Sequence, residues 1–465
     1  MKDHVVSDGM RPLTSLPLVN LTTPQARSIG FLSAVQKAVR LHGPDLRLAQ
    51  PDGSAKVLLG RAEYGDAWRR NSRRLVKDVD DHPAPASLAR LILDNNLTTA
   101  REGAEWEAMR AIVAPLMRYK KRSYAVALTE AAATLGDGLA AGAQSLWSLC
   151  GTWSAHAVCQ PVLGVGFTDG FVLDLVNGLR HCMFHLVRQA DGVSRAQLQN
   201  DALLLRLRAT LRDVVIEAVC QCQPGDDTMV AVLLAQEGHR PGQVPDAGLI
   251  AKLQPVLVGA LAAAVHNNSL AMFWVLSRIA QHGDVADAIA AEAGRFAPDD
   301  EALLTERPLA LAAVREALRL TPVLPFIERK AVEAVDMAGL AIPGGTTVIF
   351  SPWIVHRDAA SWPDPLRFDP ARFADEARVD LTRWFPFGLG HRACIGSNLA
   401  LNQLVVSVSH IAARLHLARP TDNHASHWLP TWRVLLEPRE DGGRLRACPR
   451  DPINSVASQP EGALA

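Results

Sequence analysis

One stretch, residues 249–281, is helix-compatible along its whole length and lacks an interior proline after Pro255. Its apolar run over residues 255–265 is too short for a membrane span and suits a buried core helix. Residues 259–264 are almost all small, which lets something flat approach the helix backbone. His266, Asn267, Asn268 and Ser269 then interrupt the apolar pattern. Buried polar groups cost about 1–3 kcal/mol each unless paired, so at least one of the four is expected to face a cavity. Residues 125–222 are rich in Ala and Leu and mostly helical by composition. A first helix is predicted over residues 24–42, and an amphipathic helix begins near Gly103, with Trp106 and Arg110 one turn apart on one face. Pro308 opens another helix, and Pro322 ends it after Thr321. Short strands are predicted around residues 56–59, and over 331–335 and 346–350, the last two joined through Pro343-Gly344-Gly345.

Composition narrows the class. The 465 residues carry 48 basic and 48 acidic side chains, so no net charge points to nucleic acid or a membrane surface. The first 31 residues mix charges and prolines, with neither a signal-peptide core nor ~20 apolar residues for a span. The expectation is a soluble, cytoplasmic protein. Residues 1–22 read as an extended arm, 23–449 as a single domain, and 450–465 as a frayed tail. The seven cysteines are odd in number and scattered, which argues against a disulfide framework.

One of those cysteines carries chemistry. Cys394 sits in a loop punctuated by Gly388, Gly390 and Gly396, just before an apolar segment, residues 399–415, with helical character. Glycines there permit positive φ and close backbone approach. A helix starting near Gly396 would aim unpaired N–H groups at the sulfur and favour thiolate. Such a thiolate suits a metal, and haem iron takes a cysteine as its axial ligand.

The string Phe387-Gly388-x-Gly390-x-Arg392-x-Cys394-x-Gly396 resembles the haem-binding loop of the cytochrome P-450, or haem-thiolate, family. Matching motifs extend from Trp106 to Ala400. The resemblance implies a mainly α fold with a smaller β region, and haem b between the long central helix and the cysteine loop. It implies Cys394 as the iron ligand and Trp106, Arg110, Arg329 and Arg392 as propionate contacts. It places Phe387, Gly388, Gly396 and Ala263 of the small-residue patch against the haem. Glu316 and Arg319, with Arg372, resemble the family's structural ion-pair network, and His356-Arg357-Asp358 resembles a tripeptide given a structural role.

The chain departs from the family on the central helix. Where the family has an acid followed by an alcohol, alignment on Trp274 and His282 places His266 and Asn267. Histidine still relays protons, with an unperturbed pKa near ~6.5, whereas Asn267 only orients water or substrate. His266, Asn267 and Asn268 are expected on the distal side. The expected activity is monooxygenation or oxidative tailoring of a small organic substrate, with electrons from a separate ferredoxin or flavodoxin. The alternative is a peroxygenase, isomerase or dehydratase that bypasses normal dioxygen activation.

Overall fold

A computed structural model of the chain describes residues 10–77, 90, 93, 95–117, 122–164, 169–188, 197, 200–240, 242–295, 307–375, 380–420, 428–439 and 443–450. The fold is mainly α with a smaller β part. Helices run in the order α1 (Pro24–Ser28), α2 (Phe31–His42), α3 (Tyr64–Arg70), α4 (Ala104–Leu116), α5 (Arg122–Ala141), α6 (Leu146–Leu163) and α7 (Asp169–Arg188). They continue as α8 (Ala202–Gln221), α9 (Met229–Gln236), α10 (Ala247–Ile279), α11 (Gly283–Ala293), α12 (Pro308–Leu320), α13 (Pro352–Val355) and α14 (Ser397–Arg414). The strands are β1 (Leu18–Val19), β2 (Leu46–Ala49), β3 (Ala55–Leu59), β4 (Leu75–Val76), β5 (Ile327–Ala331), β6 (Val335–Met337), β7 (Leu340–Ile342), β8 (Thr347–Phe350), β9 (Leu415–Ala418), β10 (Pro430–Arg433), β11 (Leu435–Pro438) and β12 (Arg446–Pro449).

Helix α10 organises the core. Its residues enter two apolar clusters, one shared with α5, α6, α12 and α14 and the other with α6, α7, α8 and α9. The Asp246 carboxylate caps its start by accepting the Leu249 N–H at 2.7 Å, which satisfies one of the donors a helix leaves unpaired. Helix α12 starts at Pro308 but is capped from outside. Buried Glu292 of α11 accepts the N–H groups of Leu309 and Ala310 at 2.8 and 3.0 Å. A six-stranded sheet of order β1-β2-β3-β8-β5-β4 packs its own apolar cluster against α3 and the approach to the cysteine loop.

Several expectations need correction. The first helix is two, broken at Gly30, whose φ of 78° favours glycine. The strand predicted over residues 331–335 is split between β5 and β6. A tight β6–β7 hairpin, turning at Ala338 and Gly339 with positive φ, is inserted before β8. The described part of the arm is not free. Strand β1 pairs with β2, and Arg11 bridges to Leu340. The tail beyond Arg450 lies outside the described residues. By length and composition α10 does pass for a membrane span. Here its apolar side chains are taken up by the core.

Candidate active site

The cysteine loop is a compact turn ending at α14. The Cys394 N–H donates to the Phe387 carbonyl at 2.8 Å and closes residues 387–394 into a loop. Gly388 and Gly390 have φ of 73° and 77°, as the turn requires. At Gly390 a Cβ would also lie 2.7 Å from Ser72 Cβ, so the turn after α3 packs directly on the loop. Gly396 departs from expectation. It has φ −93° and is the N-cap of α14, and a Cβ there would meet only Met117 Sδ at 3.8 Å. Cys394 is surrounded by protein, yet its surface stays accessible, so the sulfur faces interior space. Burial pushes its thiol pKa up, and the Gly396 N–H pulls it back. A bound cation would reverse the balance, because a metal deprotonates a coordinating thiol.

Beside the loop lies a cluster rich in cations. Arg392 donates from Nε to Glu102 Oε2 at 2.7 Å and from Nη2 to the Ala100 carbonyl at 3.0 Å. His391 Nε2 sits 2.6 Å from the other Glu102 oxygen. Trp106 of α4 is buried beneath them. The Arg110 and Arg392 guanidinium carbons lie 5.2 and 5.1 Å from its ring, and His391 meets it edge-on. Such contacts favour a cation over the indole face. Arg329, in the middle of β5 rather than before it, and Lys77, just past β4, face the same region. Burial, with Arg329 and Arg392 close by, pushes Lys77 down to about 7 despite Glu102. Arg329 falls to about 10 through burial and Arg392. For Glu102 burial would raise the carboxyl. Hydrogen bonds and charge from His391 and Arg392 outweigh it and hold the group below the usual range. Glu102 acts on all three cations, with Glu328 also near Arg329, Glu105 also near Arg392, and the Thr98 carbonyl accepting from Lys77.

A second network fixes the scaffold behind the loop. Glu316 and Arg319 are fully buried and paired through two bonds of 2.6 and 2.8 Å. Arg372 Nε approaches Glu316 Oε1 at 3.5 Å, and the Asp369 N–H donates to that oxygen at 2.9 Å. Arg319 spends its other donors on the carbonyls of His356, Pro365 and Arg367. His356 then reaches the loop. The Phe385 N–H donates to its Nε2 at 2.8 Å, so Nδ1 carries the proton and donates to the Arg319 carbonyl at 3.1 Å. Burial, then Arg319 and Arg357, hold the imidazole well below its ordinary pKa and therefore neutral. The chain of bonds from Glu316 to Phe385 gives Arg319, Arg372 and His356 structural work.

The resemblance sets α10 against the cysteine loop. Most of its middle is buried, but Ala260, Ala263, Ala264 and Asn267 keep partial accessibility. The spacing i, i+3, i+4, i+7 is one helical face. Ile395, next to the cysteine, packs into the same apolar cluster as Ala260 and Ala264. Asn267 Nδ2 donates to the Ala263 carbonyl at 2.6 Å, so the polar side chain is bound to this face. His266 and Asn268 do not share it. Asn268 Nδ2 donates to Gln403 Oε1 of α14, and Gln403 passes the contact on to the Ala157 carbonyl of α6. His266 is buried on the opposite flank, beside Glu437 of β11 and the Trp147 ring of α6. Of the three residues expected on the distal side, Asn267 shares the alanine face, and His266 and Asn268 are buried on its flanks. The cause is helical phase, since residues 266 and 268 lie about 100° to either side of 267.

These features fit the haem that the resemblance implies. A small-residue face, an accessible cysteine and a cluster of partly buried cations match a flat ring with an iron and two carboxylates. Arg392, Trp106 and Arg110 are brought together by direct contacts, and Arg329 by charge proximity. Sequence reading missed Lys77, Glu102, His391 and Glu437. Lys77 and Glu102 come from separate segments with no local pattern, and His391 occupies an undefined position of the loop string. Glu437, a lone acid in the apolar strand Leu435–Pro438, was the one with a visible signal.

Comparison with known proteins agrees in position. A family model described as Cytochrome P450 matches residues 211–441, which include the α10 face, the Glu316–Arg319 pair and the Cys394 loop. The putative cytochrome P450 135B1 of Mycobacterium tuberculosis is 32% identical over 42% of this chain and 40% of its own length. Cyclooctatin synthase of Streptomyces melanosporofaciens is 28% identical over 46% of this chain and 47% of its own. Cytochrome P450 CYP99A1 of Sorghum bicolor is 28% identical over 58% of this chain and 54% of its own. The chain spans about half the length of the curated relatives it matches.

Proposed function

The chain belongs to the cytochrome P450 family, and from that premise we propose that it is a haem-thiolate monooxygenase acting on a small organic substrate. The observation that carries the reading is the pairing of an accessible Cys394 with the Lys77, Arg329 and Arg392 cluster. Haem b would be held by Cys394 and would supply the oxygen chemistry when bound. Lys77, Arg329 and Arg392 would hold the propionates, with Trp106 and Arg110 packing beneath. Phe387, Gly388 and Gly396 shape the proximal surface. Ala263 and its neighbours let a flat ring approach α10, and Asn267 is the polar group on that face, where it orients water or a substrate oxygen. Electrons would come from a separate ferredoxin or flavodoxin, in a cytoplasmic setting.

A second reading has its own observation. No carboxylate or alcohol stands on the accessible face of α10 between Ala260 and Asn267. This favours a peroxygenase, isomerase or dehydratase that needs no proton delivery to dioxygen. The test compares product formed with reductase, reductant and dioxygen against product formed with hydrogen peroxide or with no oxidant. The monooxygenase reading expects product only in the first reaction. Turnover without reductant and dioxygen overturns it in favour of the second.

A further inference from the structure

Behind the turn that carries Asn267 lies a buried pair, His266 and Glu437. His266 Nε2 stands 3.4 Å from Glu437 Oε1, with the two side chains 1% and 2% exposed. Neither His266 nitrogen has a hydrogen-bond partner, nor does Glu437 Oε1. The other carboxylate oxygen, Oε2, is 3.5 Å from Arg433 Nη1 of β10 and 4.0 Å from Arg180 Nε of α7. The Trp147 ring closes the cluster, with His266 edge-on at 5.7 Å and the Arg180 guanidinium over it at 5.5 Å. Arg433 and Arg180 approach Oε2, and among the described residues the imidazole is the polar group that approaches Oε1. A buried acceptor takes a hydrogen bond where one is in reach.

We infer that Glu437 is the positioning acid of His266: it holds the imidazole with its proton on Nε2, and so fixes the turn of α10 that presents Asn267 to the active site. Position 266 would then draw its carboxylate from the C-terminal hairpin, across the helix. The same carboxylate ties together three segments distant in sequence: α7, α10 and the β10–β11 hairpin. Glu437 and His266 touch neither substrate nor cofactor in this account. Their effect reaches the site through Asn267 and its bond to the Ala263 carbonyl. The inference rests on the monooxygenase reading for its functional consequence, but not for its geometry.

The geometric test uses the haem-loaded protein in its reduced, carbon monoxide-bound form, with nitrogen-labelled histidine. The His266 signals are assigned by their loss in His266→Gln. The expected spectrum shows a proton-bearing Nε2; a proton on Nδ1 alone, with bare Nε2, overturns the inference without any variant at Glu437. The functional test compares Glu437→Gln, His266→Gln and the double variant for product formed per reductant consumed. Each single change should lower that ratio about threefold or more, with no further loss in the double variant. Losses that multiply, or unchanged coupling in Glu437→Gln, reject the pair. If the unaltered protein shows no thiolate-type carbon monoxide spectrum, the monooxygenase reading has failed instead, and the nitrogen spectrum still decides the geometry.

Discussion

The two faces of the site are built differently. On the cysteine side, charged groups have assigned partners: Glu316 with Arg319, Glu102 with Arg392 and His391, and His356 between Arg319 and Phe385. On the α10 side only Asn267 is polar, and the other polar residues of that turn face away, to Gln403 and Glu437. Under the proposed function, the first side would hold the cofactor and the second would set the reaction. A buried network with planar, paired charges tolerates few alternatives, whereas an alanine face constrains shape alone.

The largest break should come from the cysteine side. Glu316→Ala leaves Arg319 buried without its carboxylate, at a cost of roughly 3–5 kcal/mol. We expect loss of folded, haem-loaded protein, measured by the yield of Soret absorbance and by thermal unfolding. Glu102→Gln is milder, because Arg392 keeps the Ala100 carbonyl. A loss of about 1.5–3 kcal/mol is expected for bonds to a charged group. Glu102 is depressed in the fold, so its contribution is present above the ordinary glutamate range and is lost as pH falls through its folded value. Acid unfolding should therefore be less steep in Glu102→Gln, followed by denaturation at stepped pH.

Lys77 sharpens the comparison. Its folded pKa of about 7 lies below its ordinary value, so the unfolded chain binds the extra proton between the two. The haem-free protein should gain stability as pH rises from about 7 toward about 10, and Lys77→Met should flatten that slope. Anionic propionates would favour the charged lysine, so the haem-loaded protein should show a smaller slope than the haem-free one. Denaturant titrations of both forms across this range check it. The smallest effect belongs to the other face. Asn267→Ala removes one hydrogen bond, about 0.5–1.5 kcal/mol, and should leave haem content unchanged while lowering product per reductant.

The same contrast explains what could be read in the sequence. The Cys394 loop was legible because turn geometry and ligation fix residue types at fixed offsets within ten positions. The long α10 was legible from its helix-compatible length and from the apolar run over residues 255–265. Helical phase was the obstacle at His266 and Asn268: adjacent residues point about 100° apart, and composition does not say which flank meets the cavity. Lys77 and Glu102 were invisible because their meaning comes from Arg329 and Arg392, more than two hundred residues away. The inserted β6–β7 hairpin escaped because its turn residue, Ala338, has positive φ without being a glycine, asparagine or aspartate.

The proposed function stands on Cys394 as a thiolate ligand to haem iron. The direct measurement is the spectrum of the dithionite-reduced protein under carbon monoxide, taken for the unaltered chain and for Cys394→His. A strongly red-shifted Soret band in the first, absent in the second, is the predicted result. An unshifted band in the unaltered, haem-loaded protein would contradict the account.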